Sequence, residues 1–419
     1  MKKSLCLYVL FALLLAWLAP APHSFAAQKQ PVPRPGQFTG QDADFSTFTG
    51  RFGYTTAGQT EAPEKMLGQM LMVGFRGTGE GDPAYAEDFK AIRALVAAGK
   101  IGGVILFSRD ITTGTYERNI YSPEQVKALC ASLQAAASRL LFVAVDQEGG
   151  RIRRLLPKQG FTPVPSPAVM GGMPAESVYK IGLRLGKELN GLGININLAP
   201  SLDLNINPDN PIIGKLGRSF GRETAVVARQ AAAFSRGLIA AGVLPCFKHF
   251  PGHGSSKGDS HLGFTDITGS WFKDELAPYA VLPKPNGPYL VMLGHLYHAG
   301  LDNTYPASLS GRIIQEILRG DLNWQGVVIS DDLQMQAISD HYSLEETILL
   351  AINAGNDILL FGNNQQYDPE LPVKVWATMQ KLYREGKISA GRIEESYQRI
   401  MCLKTWLAEK RQGNNQFPD

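Results

Sequence analysis

From residue 61 onward, apolar positions gather in short unbroken runs separated by longer stretches of helical period. The runs are Leu71–Phe75, Gly103–Phe107, Leu140–Asp146, Asn195–Pro200, Leu244–His249, Tyr289–His295, Val327–Asp331 and Asp357–Phe361. Continuous rather than alternating apolar character predicts strands buried on both faces, as in a parallel sheet. Between the runs, 123–138, 175–191, 223–241, 311–319, 344–354 and 371–386 repeat apolar residues three and four apart, the spacing of a helix with one buried face. Eight strands alternating with helices close a (β/α)8 barrel. The fold class is therefore α/β: a single TIM-type barrel over residues 61–410, with a closing helix from Ser389 to about Leu407.

The beginning of the chain follows a different pattern. Lys2 and Lys3 precede an apolar run from Leu5 to Ala19, then Pro20 and Ser24-Phe25-Ala26. That order predicts a secretory signal peptide over 1–26, cut after Ala26. The run falls short of the about 20 apolar residues that span a bilayer, although an uncleaved anchor is the competing reading. The protein is expected in the periplasm or outside the cell, without stable membrane insertion once the leader is removed. Residues 27–60 are rich in Gln, Pro, Gly and Thr and show no period, which reads as a linker or arm.

Composition changes this picture little. Apolar residues make up 44% and charged ones 19%, enough core for an ordinary globular protein. Of the formal charge of +3, Lys2 and Lys3 supply two, so no nucleic-acid partner is implied. Cys130, Cys246 and Cys402 are too widely spaced for a disulfide framework or a metal site, and read as packed thiols. Oligomeric state is left open.

The chemistry lies at the strand ends. Asp146, Lys248, His249, His295 and Asp331 all stand at or near the C-terminal ends of their runs, the rim that carries active sites in barrels of this kind. In Val327-Val-Ile-Ser-Asp-Asp-Leu-Gln-Met335, side-chain alternation groups Asp331 with Val327 and Ile329. Asp332 is expected to point the other way and cap the following helix. Phe247-Lys-His-Phe-Pro-Gly-His-Gly254 leads into Asp259-Ser-His261 on a glycine-bearing segment without apolar period, suited to a moving loop. A carboxylate beside an imidazole orients it and raises its proton affinity, as an acid that later serves as base requires. The same histidines raise a zinc reading, but no recognised ligand spacing supports it, so no metal is assigned. Asp146-Gln-Glu-Gly-Gly-Arg-Ile-Arg-Arg154 and Gly217-Arg218 pair carboxylates with guanidinium groups. These can bind sugar hydroxyls or simply bridge two loops. Asp203 carries the same ambiguity between sugar contact and loop anchor.

Together DQEGGRIRRL, LAPSLDLN with NPIIGKLGRSFG, FKHFPGHG with DSHLGF, and GVVISDDLQM resemble family 3 glycoside hydrolases, and among them the bacterial β-N-acetylglucosaminidases. The resemblance implies a retaining hydrolase with Asp331 as nucleophile and the Asp259/His261 pair as acid/base. It implies sugar contacts at Asp146, Arg154, Arg218, Lys248, His249 and His295, a small carbohydrate substrate, and no cofactor. Relatives often carry Asp-Thr after Pro-Gly-His-Gly, where this chain has Ser255-Ser256. A β-glucosidase or xylosidase of the same family, and a non-catalytic sugar-binding barrel, are the alternatives.

Overall fold

A computed structural model describes residues 61–116, 118–281 and 287–413. The expected leader, 1–26, and the expected arm, 27–60, lie outside the described residues. Eight parallel strands form the core: β1 (Leu71–Gly74), β2 (Gly103–Leu106), β3 (Phe142–Val145), β4 (Ile196–Asn197), β5 (Leu244–Phe250), β6 (Leu290–Leu293), β7 (Val327–Ser330) and β8 (Leu359–Phe361). Each pairs with its sequence neighbour, and β1 also pairs with β8, with Leu71 opposite Leu359. A bridge between Ile329 and Ile358 joins β7 to β8 and closes the ring. All strand residues are buried, which is why the runs are mostly apolar, with Asn197, Lys248 and His249 among the buried polar exceptions.

The outer layer is α1 (Ala86–Ala97), α2 (Pro123–Ala136), α3 (Ala175–Leu192), α4 (Thr224–Ala240), α5 (Ala277–Val281), α6 (Arg312–Asp321), α7 (Leu344–Ala354) and α8 (Leu371–Arg384), followed by α9 (Ala390–Gly413). Ser122 caps α2 by accepting from Gln125 N, and Ser343 with Glu346 forms a reciprocal capping box on α7. Helix α3 meets α4 almost backbone to backbone. A Cβ on Gly182 would lie 2.3 Å from the Phe234 carbonyl oxygen, and one on Gly237 2.4 Å from that of Tyr179.

Three helices depart from expectation. Helix α1 was not anticipated: it buries only Phe89, Ile92 and Val96, and Tyr85 before it gives no side-chain cap. Helix α6 has the wider π-type winding, and α5 is a five-residue remnant. Most of the chain between β5 and β6 is spent instead on a long loop over the barrel mouth.

The opposite end of the barrel is stabilising. Lys404 of α9 is buried there, donating to Gln69 Oε1 at 2.7 Å and the Gly102 carbonyl at 2.9 Å. Asp357, fully buried before β8, accepts from Arg319, Arg392, Arg399 and Ser396.

Candidate active site

A cavity of 330 Å³ opens at the C-terminal ends of the strands, at the small end of the ~300–1,000 Å³ range for small-molecule sites. Its apolar floor includes Ile105 of β2, Leu198 just after β4, Met292 of β6 and Leu360 of β8. These four come from the even strands, the layered filling expected of an eight-stranded barrel. The charged groups at strand ends come from odd strands: Asp146 after β3, Lys248 and His249 on β5, Asp331 after β7.

The β3 side folds back on itself through a glycine turn. Gly149 and Gly150 take φ of 100° and 57°, a region that favours glycine, and the hairpin pairs Gln147 with Arg153. Gln147 Oε1 accepts from the amides of Arg154 and Leu155, fixing the returning strand. Arg154 Nη2 thereby reaches Asp146 Oδ2 at 3.2 Å, while Lys248 Nζ donates to Asp146 Oδ1 at 2.8 Å. Behind them Glu148, 1% exposed, accepts from Arg218 Nε at 2.9 Å and Nη2 at 2.7 Å, with Lys248 Nζ also 2.8 Å away. Burial alone would raise both carboxyls. The surrounding cations outweigh it, holding Asp146 well below the carboxylate range and Glu148 at about 2. A preformed set of paired donors and acceptors results, able to meet sugar hydroxyls.

His249 is oriented by two partners. Its Nδ1 lies 2.6 Å from Asp203 Oδ2, and Arg218 Nη2 lies 3.2 Å from Nε2. A guanidinium only donates, so Nε2 is the bare nitrogen and Nδ1–H donates to Asp203. Asp203 also accepts from the amides of His249 and His253 and from the Ser201 hydroxyl. It is a loop anchor, which settles the ambiguity left by the sequence.

The loop carrying Asp259 and His261 is pinned at its base. Glu275 accepts from the amides of Gly254 and Ser255, and burial pushes its carboxyl up to about 7. A Cβ on Gly252 would lie 2.5 Å from Glu275 Cβ, so glycine is required at this corner. At the tip, Asp259 Oδ1 accepts from the His261 amide at 2.9 Å and stands 2.8 Å from its Nδ1. Both line the cavity, and the His261 side chain is 49% exposed, within reach of a solvent-side leaving group. Partial burial opposes the charged ring, but the bond to Asp259 and the charge of Asp331 raise its proton affinity overall.

Asp331 lines the cavity beneath, its Oδ1 accepting from the Asp332 amide at 2.8 Å. Burial would raise its carboxyl; the neighbouring His295, His249 and His261 rings and that amide bring it down, so it stands ionised. Asp332 departs from expectation. Strand β7 ends at Ser330, so alternation no longer applies, and Asp332 lines the cavity too. Its Oδ1 accepts from Gln334 N at 3.1 Å and Gly362 N at 2.9 Å, while the next helix starts only at Gln336. It ties the end of β7 to the end of β8 rather than capping a helix. Burial pushes its carboxyl up to about 6.

Eight of the nine expected site residues thus meet at one cavity. His295 is not among its lining: both ring nitrogens are engaged, by Ser308 Oγ and the Asp332 carbonyl. The sequence signal had no means of finding Glu275, later in the same loop as His261, or Ser308, thirteen residues after His295, because neither stands at a strand end. Among the described residues, no group of three or more His, Cys, Asp or Glu is arranged to hold a metal. Cys130, Cys246 and Cys402 are free thiols. No described helix is long and apolar enough to cross a membrane.

Comparison with known proteins places this geometry. The Glycosyl hydrolase family 3 N terminal domain matches residues 63–403. The chain is 32% identical over 389 residues to Beta-hexosaminidase A of Pseudoalteromonas piscicida, covering 85% of this chain and 63% of that protein. It is 34% identical over 356 residues to Beta-hexosaminidase LpqI of Mycobacterium tuberculosis, covering 82% of this chain and 83% of the relative. Its fold is similar to that of a family 3 beta-N-acetylglucosaminidase from Paenibacillus sp. str. FPU-7. There the TM-score is 0.73 at 34% identity, over 83% of this chain and 63% of that one. An eight-stranded barrel with this rim, matched over most of its length by the family's N terminal domain, belongs to glycosyl hydrolase family 3.

Proposed function

We propose that the chain is a retaining β-N-acetylglucosaminidase, releasing terminal non-reducing β-linked N-acetylglucosamine from peptidoglycan fragments or chitooligosaccharides. The observation that carries this reading is the meeting of ionised Asp331 with the Asp259/His261 pair at one cavity, beside a preformed set of hydroxyl partners. The relatives named beta-hexosaminidase support the choice of sugar.

In the first step, a carboxylate oxygen of Asp331 attacks the anomeric carbon as its bond to the aglycone oxygen breaks. His261, with Nδ1–H held by Asp259, gives its Nε2 proton to the departing oxygen. In the second, Nε2 takes a proton from water, the hydroxide adds to the anomeric carbon, and the ester to Asp331 breaks. Two inversions retain configuration. Asp146, Arg154, Lys248, Arg218 and His249 hold the sugar's hydroxyls throughout. With its expected leader, the enzyme would work in the periplasm or outside the cell.

The test is Asp331→Asn, assayed on an aryl N-acetylglucosaminide and an aryl glucoside. An amide is a far poorer nucleophile, so turnover should fall on the order of 10⁴-fold or more with the fold retained. A fluorinated activated sugar should label Asp331 in the wild type. Near-normal turnover of the variant, or label on Asp332, overturns the assignment, and preference for the glucoside overturns the substrate.

A further inference from the structure

His295 has no part in the steps above, yet it is 1% exposed and placed directly behind the nucleophile. Its Nε2 lies 2.8 Å from the Asp332 carbonyl oxygen and its Nδ1 lies 2.7 Å from Ser308 Oγ. A carbonyl only accepts, so Nε2 carries the hydrogen. Burial disfavours a charged ring here, so Nδ1 is the acceptor for the Ser308 hydroxyl. The amide on the other side of Asp332 donates to Asp331 Oδ1. Ser308 is itself fully buried, and its carbonyl accepts from Asn356 Nδ2 at 2.8 Å, just before β8. A continuous chain of hydrogen bonds therefore runs from the base of β8 through Ser308, His295 and Asp332 to one oxygen of Asp331.

We propose that His295 is a positioning residue for the nucleophile. By holding the Asp332 carbonyl it sets the direction of the Asp332 N–H, which grips Asp331 Oδ1 and leaves the second carboxylate oxygen for the anomeric carbon. The inference rests on Asp331 being the nucleophile, and it takes His295 out of the set of sugar contacts. Small errors in placing a reacting atom are costly: about 1 Å can mean a loss on the order of 10²-fold. A residue acting in this way should change kcat and leave KM nearly alone, since it touches no sugar.

The charged and titratable groups around Asp331 are Cys246, Lys248 and His249 from β5, Asp259 and His261 from the loop, His295 after β6, Asp332 beside it, and Asp146, Arg154 and Arg218 across the cavity. Changing His295 leaves the rest in place. The Asp332 N–H that His295 holds in line favours the ionised form of Asp331, so loss of His295 should move the acid limb of the pH profile of kcat/KM to higher pH.

The experiment uses the full chain with His295→Leu, His295→Gln and Ser308→Ala, with Asp331→Asn beside them, on an aryl N-acetylglucosaminide. His295→Leu should lose on the order of 10²-fold in kcat with KM little changed. The amide N–H of His295→Gln can reach the place of Nε2–H, so this variant should recover much of that loss. Ser308→Ala should move the acid limb in the same direction, by less. Should His295→Leu fail to fold, the other two variants carry the same comparison. A raised KM at unchanged kcat would make His295 a sugar contact. A fall in kcat with the acid limb unmoved and no recovery in His295→Gln would make it merely structural. Either result overturns the proposal, whereas an active Asp331→Asn overturns the nucleophile assignment instead.

Discussion

Glu148 is the group whose removal should be felt most in stability. It is 1% exposed and accepts two bonds from Arg218, with Lys248 equally close, so it is the shared counter-ion of two buried cations. In Glu148→Gln the shape is kept, but the amide nitrogen must face one of those donors. Burial opposes the Glu148 charge and the two cations favour it, with a net fall from the ordinary 4.5 to about 2. At 1.36 kcal/mol per unit, that difference is worth about 3 kcal/mol at neutral pH. The figure agrees with the ~3–5 kcal/mol lost when one member of a buried ion pair is removed. At ~2 °C per kcal/mol for a large domain, the melting temperature should fall by about 6 °C. The sign with pH follows from linkage. A carboxylate whose folded value is depressed contributes fully above its unfolded value and loses that contribution as pH falls through the folded one. The gap between wild type and variant should hold at about 3 kcal/mol from pH 7 to 5.5 and shrink to about 2 kcal/mol near pH 3.5. Urea unfolding of both proteins at these pH values measures it. A gap under about 1 kcal/mol, or one indifferent to pH, would refute the idea that Glu148 is held ionised as a structural counter-charge.

Other expectations can be checked as directly. His261→Ala should slow substrates with poor leaving groups far more than nitrophenyl-type ones, because only the former need the proton; azide should then restore turnover of the trapped glycosyl-enzyme. Equal losses across leaving groups without rescue would make His261 a loop or sugar contact. Lys404 is buried with only neutral hydrogen-bond acceptors, and burial lowers its ammonium from 10.5 to about 7. The folded state then binds fewer protons than the unfolded one between these values, so wild-type stability should rise with pH from 7 to 10, a slope that Lys404→Met should lack in urea unfolding.

How far the site was legible in sequence differs from residue to residue. Asp331 and the Asp259/His261 pair could be read because a strand end and a short Asp-x-His spacing are local features. Asp146 and Arg154 could be read as rim residues, but that they meet is decided by the turn at Gly149 and Gly150, which brings the chain back within eight residues. Asp332 was misread, since alternation was carried past Ser330, where the strand had already ended. Its direction is decided by the Gly362 amide thirty residues later. His295 was recognised as polar at a strand end, but whether it faces sugar or protein depends on Ser308 and on the Asp332 carbonyl, which no spacing reveals.

The same division runs through the whole fold. Burial on both faces makes a parallel strand largely apolar, so the strands could be read from residue type, with Asn197 of β4 and Lys248 and His249 of β5 among the polar exceptions. Helix α1 escaped because three buried apolar residues and no cap make a weak signal. What the chain could not declare by itself was which polar groups become partners. Glu148 with Arg218 and Asp203 with His249 are brought together only when neighbouring strands assemble, and Glu275 with Gly254 only when the long loop folds back on its own base. Buried charges must then find counter-charges and donors or be expelled, and their protonation follows from that packing.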